Sequence, residues 1–131
     1  MKAKEIMTPN PDVVTPTDPI MRAAEIMRDR EVGFVPVVED RSSMQLKGVI
    51  TDRDIAVRHV ATGCAQQCEV EQHMTSEGMA TVNPDDDTSA VRDVMMRDQI
   101  RRVPVTERGR IVGVIAQADV AVKENRPREV G

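Results

Sequence analysis

Gly48-Val49-Ile50-Thr51-Asp52-Arg53-Asp54 returns 65 residues later as Gly113-Val114-Ile115-Ala116-Gln117-Ala118-Asp119. In both copies an apolar run gives way to a polar, acid-bearing stretch, which reads as a buried strand feeding a helix. Upstream the copies stay in step at an offset of 68. Val14-Thr15-Pro16 answers Val82-Asn83-Pro84, Asp18 answers Asp86, Ile26-Met27 answers Val94-Met95, and Val35-Pro36-Val37 answers Val103-Pro104-Val105. The three residues lost between the two offsets fall in the polar stretch Glu39-Asp40-Arg41-Ser42-Ser43, where a surface turn tolerates a change of length.

The period suits a unit of about 60 residues, duplicated once, and such a unit buries too little surface to be robust alone. Two copies packed face to face, with a cleft and a pseudo-twofold axis between them, would solve that. The predicted order is strand, helix, strand, strand, helix, twice over, in an α/β fold. The first repeat is assigned to residues 1–64 and the second to 65–131. Val13-Val14-Thr15 and Thr81-Val82 are read as opening strands, and Asp18 as the N-cap of a helix with Pro19 in its first turn. Hairpins are expected over Phe34–Val38 with Leu46–Ile50, and over Val103–Val105 with Ile111–Ile115, the latter turning at Gly109. Closing helices follow from Asp52 towards Val60 and from Gln117 to about Lys123, and Thr62–Glu71 reads as a polar link.

Composition narrows the function. Eighteen basic against 22 acidic residues give a formal net charge of -4, so nucleic acid and membrane surfaces are not expected partners. Phe34 is the only aromatic residue, which removes a base-stacking platform for single strands. No apolar run approaches the ~20 residues that cross a bilayer, and no apolar core follows Lys2 and Lys4, so a cytoplasmic location is expected.

Thr51 and Asp54 have the spacing of a capping box. The same hydroxyl and carboxylate, at the mouth of a cleft, could hydrogen-bond a ribose diol. The second copy keeps Asp119 but has Ala116 in place of Thr51. Arg101 and Arg102 stand where the first copy has Gly33 and Phe34. Isolated charges are usually solvated, yet a guanidinium pair at a strand start also suits phosphate. Cys64 and Cys68, with His59 and His73 nearby, read most simply as two thiols in a polar link, and no metal site is assigned. A zinc-binding or oxidation-sensitive thiol pair is the alternative. No nucleophile and base are arranged for catalysis, so an enzyme is not expected.

Gly48–Asp54 resembles the pattern that closes a CBS repeat: glycine, two apolar residues, Thr or Ser, two variable residues and Asp. Ile100-Arg101-Arg102-Val103-Pro104-Val105 resembles the stretch before the second strand of nucleotide-binding members, and Ile6-Met7-Thr8 and His73-Met74-Thr75 resemble the lead-in to each repeat. The likeness covers nearly the whole chain and is greatest to small bacterial CBS-pair proteins of the hypoxic-response type. It implies a regulatory, non-catalytic module that binds an adenine nucleotide such as AMP, ATP or NAD and assembles as a homodimer. Carried over, one site joins Thr51 and Asp54 to Ile100, Arg101, Arg102 and Thr75. A second, weaker site joins Asp119 to Val32, Gly33 and Phe34. An interaction module with degenerate sites, or a switch at Cys64 and Cys68, is the alternative function.

Overall fold

The computed structural model describes residues 1–64 and 68–124. The elements are α1 (Ala3–Ile6), β1 (Thr8–Pro9), α2 (Ile20–Arg30), β2 (Phe34–Val38), β3 (Leu46–Thr51), α3 (Asp52–Asp54), α4 (Thr88–Asp98), β4 (Arg102–Glu107), β5 (Arg110–Ala116) and α5 (Gln117–Glu124). A π-helical segment, Ile55–Val60, continues α3, and Val70–Gln72 forms one 3-10 turn. No described helix is long and apolar enough to cross a membrane.

Two compact units form, and they do not follow chain order. Among the described residues, the central unit contains residues 12–64, 68–79 and 109–111, and the terminal unit combines residues 1–11, 80–108 and 112–124. Each lead-in is therefore built into the unit that holds the body of the other sequence copy.

In the central unit β2 and β3 pair antiparallel, with Val35 opposite Ile50 and a register shift between Val37 and Val38. Val14, Ile20, Ala23, Ile26, Val35, Val37, Ile50, Cys68 and Val70 form its core. Full burial of one such aliphatic side chain is worth roughly 1.5–3 kcal/mol, so this cluster is what holds α2 against the hairpin. The returning lead-in is tied on by backbone bonds: Ile20 N–H donates to the Cys68 carbonyl at 2.9 Å, and Val70 N–H to the Asp18 carbonyl at 2.9 Å.

The terminal unit repeats these ties. Thr88 N–H donates to the Met1 carbonyl at 2.8 Å, and Ala3 N–H to the Asp86 carbonyl at 2.8 Å. Its sheet runs β1-β5-β4, with Thr8 opposite Val114. Ala3, Ile6, Val82, Val91, Met95, Val103, Val105, Ile115 and Val120 make a separate core. Glu31 and Gln99 end α2 and α4 in the same left-handed conformation, both with φ 54°, so the repeat extends to the backbone. Arg108 and Gly109, with φ 55° and 78°, form the tight turn between β4 and β5, as positive φ at both positions of a two-residue hairpin requires.

Two local expectations are corrected. The runs Val13–Thr15 and Thr81–Val82 do not form extended strands. Each makes a single parallel bridge, Val14 to Val37 and Val82 to Val105, before Pro16 or Pro84 intervenes without an N–H to extend the ladder. Nor is Asp18 an N-cap. Pro19, extended at ψ 147°, occupies that place without a side-chain cap, while the Asp18 carboxylate accepts from Thr15 N–H at 2.9 Å and from Arg41 at 3.0 Å. In the terminal unit Asp87 holds the cap position and accepts from Ser89 N–H at 3.0 Å.

Candidate functional site

Strand β3 delivers Thr51 to the start of α3, and the expected capping box is present. Asp54 N–H donates to Thr51 Oγ1 at 3.1 Å, and Thr51 N–H donates to Asp54 Oδ2 at 3.0 Å. The Asp54 residue is only 7% exposed, so its carboxylate must be answered by donors. Thr75 supplies one: its hydroxyl lies 3.4 Å from each carboxylate oxygen. Arg58, one turn on, approaches Asp54 Oδ1 at 3.7 Å and is itself largely exposed.

Thr75 is placed by its backbone. It exchanges two hydrogen bonds with Val49, at 2.8 and 2.9 Å, as an added antiparallel bridge on β3. Gly48 makes this approach possible, since a Cβ there would stand 2.6 Å from the Thr75 carbonyl oxygen. Thr51, Asp54 and Thr75 therefore converge in the central unit. Val32, Gly33 and Phe34 belong to the same unit, with Phe34 opposite Thr51 and the Gly33 carbonyl accepting from Asp52 N–H at 3.0 Å. Val32 packs against the central core.

Ile100, Arg101, Arg102 and Asp119 lie in the terminal unit. Ile100 packs against that unit's core. Arg101 is exposed, and its carbonyl accepts from Gln117 N–H at 2.7 Å, the counterpart of the Gly33–Asp52 bond. Arg102 is half-buried as the first residue of β4. Asp119 Oδ2 accepts from Ala116 N–H at 3.1 Å, but the Ala116 methyl has no hydroxyl to complete a box.

A second cluster involves the residues for which a polar link was the simplest reading and a zinc-binding or oxidation-sensitive thiol pair the alternative. Residues 65–67 lie outside the described residues, but His59, Cys64, Cys68 and His73 bring one ligand atom each to within 4.8 Å of one another. The Cys64 and Cys68 sulfurs are paired as a disulfide, with Cα atoms 6.4 Å apart. The two imidazoles meet edge to face at 5.3 Å. Among the described residues, His59 Nδ1 and His73 Nε2 are buried without a hydrogen-bond partner. Burial, then the nearby His59 and Arg58 charges, holds the His73 pKa below its ordinary value, with Asp54 opposing them. A neutral imidazole is the form that ligates a metal. Two imidazoles and two thiolates form a common tetrahedral zinc set, and two orphaned ring nitrogens are what such an ion would answer. The residues thus fit a zinc-class ion when the sulfurs are reduced. The sequence signal was available: His73 occupies the lead-in position that Ile6 holds in the other copy.

The CBS domain family matches residues 3–59 and 70–123. The CBS domain-containing protein YhcV of Bacillus subtilis is 36% identical over 128 residues, 98% of this chain and 89% of that protein. The solved structure of Hypoxic Response Protein I with two coordinated zinc ions is 29% identical, with a TM-score of 0.83 over 92% of this chain and 97% of that one. The CBS domain pair of protein MJ0100, solved in complex with 5′-methylthioadenosine and S-adenosyl-L-methionine, is 28% identical, with a TM-score of 0.80 over 92% and 93%. The twice-stated Gly-apolar-apolar strand, the acid that opens each following helix and these likenesses agree: this chain belongs to the CBS-domain family and carries two tandem CBS repeats.

Proposed function

We propose that the chain is a regulatory, non-catalytic module that binds an adenosyl ligand, with Asp54 as the residue that holds the ribose. The observation that carries this reading is the Asp54 carboxylate itself: buried, fixed by Thr51, and touched by the Thr75 hydroxyl only at 3.4 Å. A carboxylate oxygen has two lone pairs, so Asp54 retains capacity to accept from a vicinal diol. The ligands of the MJ0100 pair are adenosyl compounds, which supports the class. Among nucleotides, AMP, ATP and NAD are the candidates, and we assign their phosphate to Arg101 and Arg102. Ile100 and Thr75 complete this proposed site, and Asp119, Val32, Gly33 and Phe34 are kept as a weaker second one. A homodimer is proposed with it.

Calorimetry tests the assignment. AMP and methylthioadenosine should both bind, and Asp54→Ala should abolish binding of both. Arg102→Ala should weaken AMP about tenfold or more, the value of one charge-assisted contact, and leave the phosphate-free ligand unchanged. Heat from none of AMP, ATP, NAD or S-adenosylmethionine would instead leave an interaction module.

A second reading has its own observation, the four converging ligand atoms with two orphaned imidazole nitrogens. We propose that His59, Cys64, Cys68 and His73 hold zinc in the reduced protein; the 29% identical Hypoxic Response Protein I was solved with zinc. Elemental analysis of reduced protein should find the metal, and Cys64→Ser with Cys68→Ser should lose it.

A further inference from the structure

We infer that the cysteine–histidine cluster is a metal- and redox-dependent latch on the adenosyl site, so that zinc loading tightens ligand binding and oxidation relaxes it. This rests on both readings above and adds the coupling between them.

The parts of the proposed ribose site lie on two arms of the central unit. The first is α3 with its π-helical continuation, which carries Asp54, then Arg58 against the Asp54 carboxylate, then His59. The second is the returning lead-in, which carries Cys68, His73 and then Thr75 against the same carboxylate. His59 is five residues from Asp54, and His73 two residues from Thr75. Cys64 follows the first arm, its N–H bonded to the His59 carbonyl at 3.2 Å. One tetrahedral ion would thus draw two ligands from each arm, next to the groups that face the ribose. A π-helical turn, frequent at functional sites, joins acid to imidazole.

The terminal unit provides the contrast. Met1 and Ile6 stand at the positions of Cys68 and His73, and Ile6 is fully buried in an apolar core. That unit also lacks the Thr at its capping position. The cluster and the complete Thr-Asp constellation occur in the same unit.

The latch has two covalent states. Reduced, the two thiolates and two imidazoles hold the ion. A low-molecular-weight disulfide of the glutathione class can oxidise them. One thiolate attacks its S–S bond and expels the first external thiolate. The other then closes the Cys64–Cys68 bond and expels the second. Two electrons pass from the protein sulfurs to the external disulfide, which becomes two thiolates. The ion then keeps only His59 and His73 as ligands and is released.

The experiment titrates AMP and methylthioadenosine into three preparations: reduced and zinc-loaded, reduced and zinc-stripped, and oxidised. We expect the Kd to be about tenfold lower in the zinc-loaded protein than in the other two, within the usual range of site-to-site coupling. Linkage requires the same factor in reverse, so bound AMP should raise zinc affinity about tenfold in a chelator competition. The Cys64→Ser/Cys68→Ser double variant should bind with the zinc-stripped Kd and respond to neither zinc nor oxidant. Hydrogen exchange gives a readout without nucleotide: zinc should slow exchange at the paired Val49 and Thr75 amides. Equal Kd values in all three states, with binding intact, overturn the latch and leave the adenosyl site standing. No binding in any state overturns the site and the latch together, and no zinc uptake by the reduced protein overturns the zinc reading and the latch while leaving the adenosyl site standing.

Discussion

Asp54 and Asp119 are the same residue of the same repeat, set in two different surroundings. Asp54 is buried, boxed with Thr51, touched by Thr75 and approached by Arg58. Asp119 is half-buried and accepts from the N–H of Ala116, which cannot return the bond. Both acids keep the bond that starts a helix, so that bond serves the fold. The hydroxyls and the neighbouring cation are found around Asp54, so ligand chemistry is assigned there. The two copies share one scaffold and differ at single positions, Thr51 against Ala116 among them.

The largest effect expected from testing this contrast is at the two matched glycines. A Cβ on Gly48 would stand 2.6 Å from a backbone oxygen, that of Thr75, and moving it means breaking the bridge to Val49. On Gly113 the nearest atoms belong to the flexible Met7 side chain, at 2.5 and 2.8 Å, with the Thr8 carbonyl oxygen at 3.0 Å. Gly48→Ala should cost about 2–3 kcal/mol in urea unfolding and Gly113→Ala about 1 kcal/mol, the range for overpacked sites. Equal costs would show that the two lead-ins are equally compliant.

Next comes His73→Ile, which gives the central unit the residue that Ile6 supplies in the terminal one. In metal-free protein it removes a buried nitrogen without a partner, and stability should rise by about 1–2 kcal/mol. With zinc present, the stabilisation expected of the parent protein should be absent from the variant. Thermal unfolding with and without zinc measures both.

The capping box can be removed and transplanted. Thr51→Ala should cost about 1 kcal/mol, and Ala116→Thr should return about 0.5–1 kcal/mol to the terminal unit, both read by urea unfolding.

The smallest effect concerns pH. Burial alone would raise the pKa of Asp18, but bonds from Thr15 N–H and Arg41 more than offset it and hold the acid below its ordinary value of 3.8. A depressed carboxylate stabilises the fold above its unfolded pKa, and that contribution fades as pH falls through the lower folded value. Asp18→Asn should therefore lower stability near neutrality and have less effect below about pH 4, measured by unfolding across that range.

Much of this was legible because it is local or repeated. The two offsets placed both hairpins, and the Thr51–Asp54 spacing gave the capping box. The cap of α2 was misplaced because Asp18 and Pro19 look like cap and first turn, whereas the Asp18 carboxylate is engaged by Thr15 and Arg41. Arg41 lies 23 residues away, beyond any local pattern. The exchange of lead-ins was invisible for the same reason: Ile6-Met7-Thr8 resembles a lead-in, but does not say which strand it will pair with. His59 and His73 were seen as near the two cysteines in sequence, and the backbone bonds of the returning lead-in, the Thr75–Val49 bridge among them, show that the chain folds back to bring their rings together.

The central claim is that the buried acid of the central unit receives the ribose, and a crystal structure of the protein grown with AMP tests it most directly. The account predicts ribose hydroxyls within about 3 Å of the Asp54 carboxylate oxygens. A nucleotide whose ribose lies on Asp119 with Asp54 still bonded to Thr75, or one bound away from both acids, would contradict it.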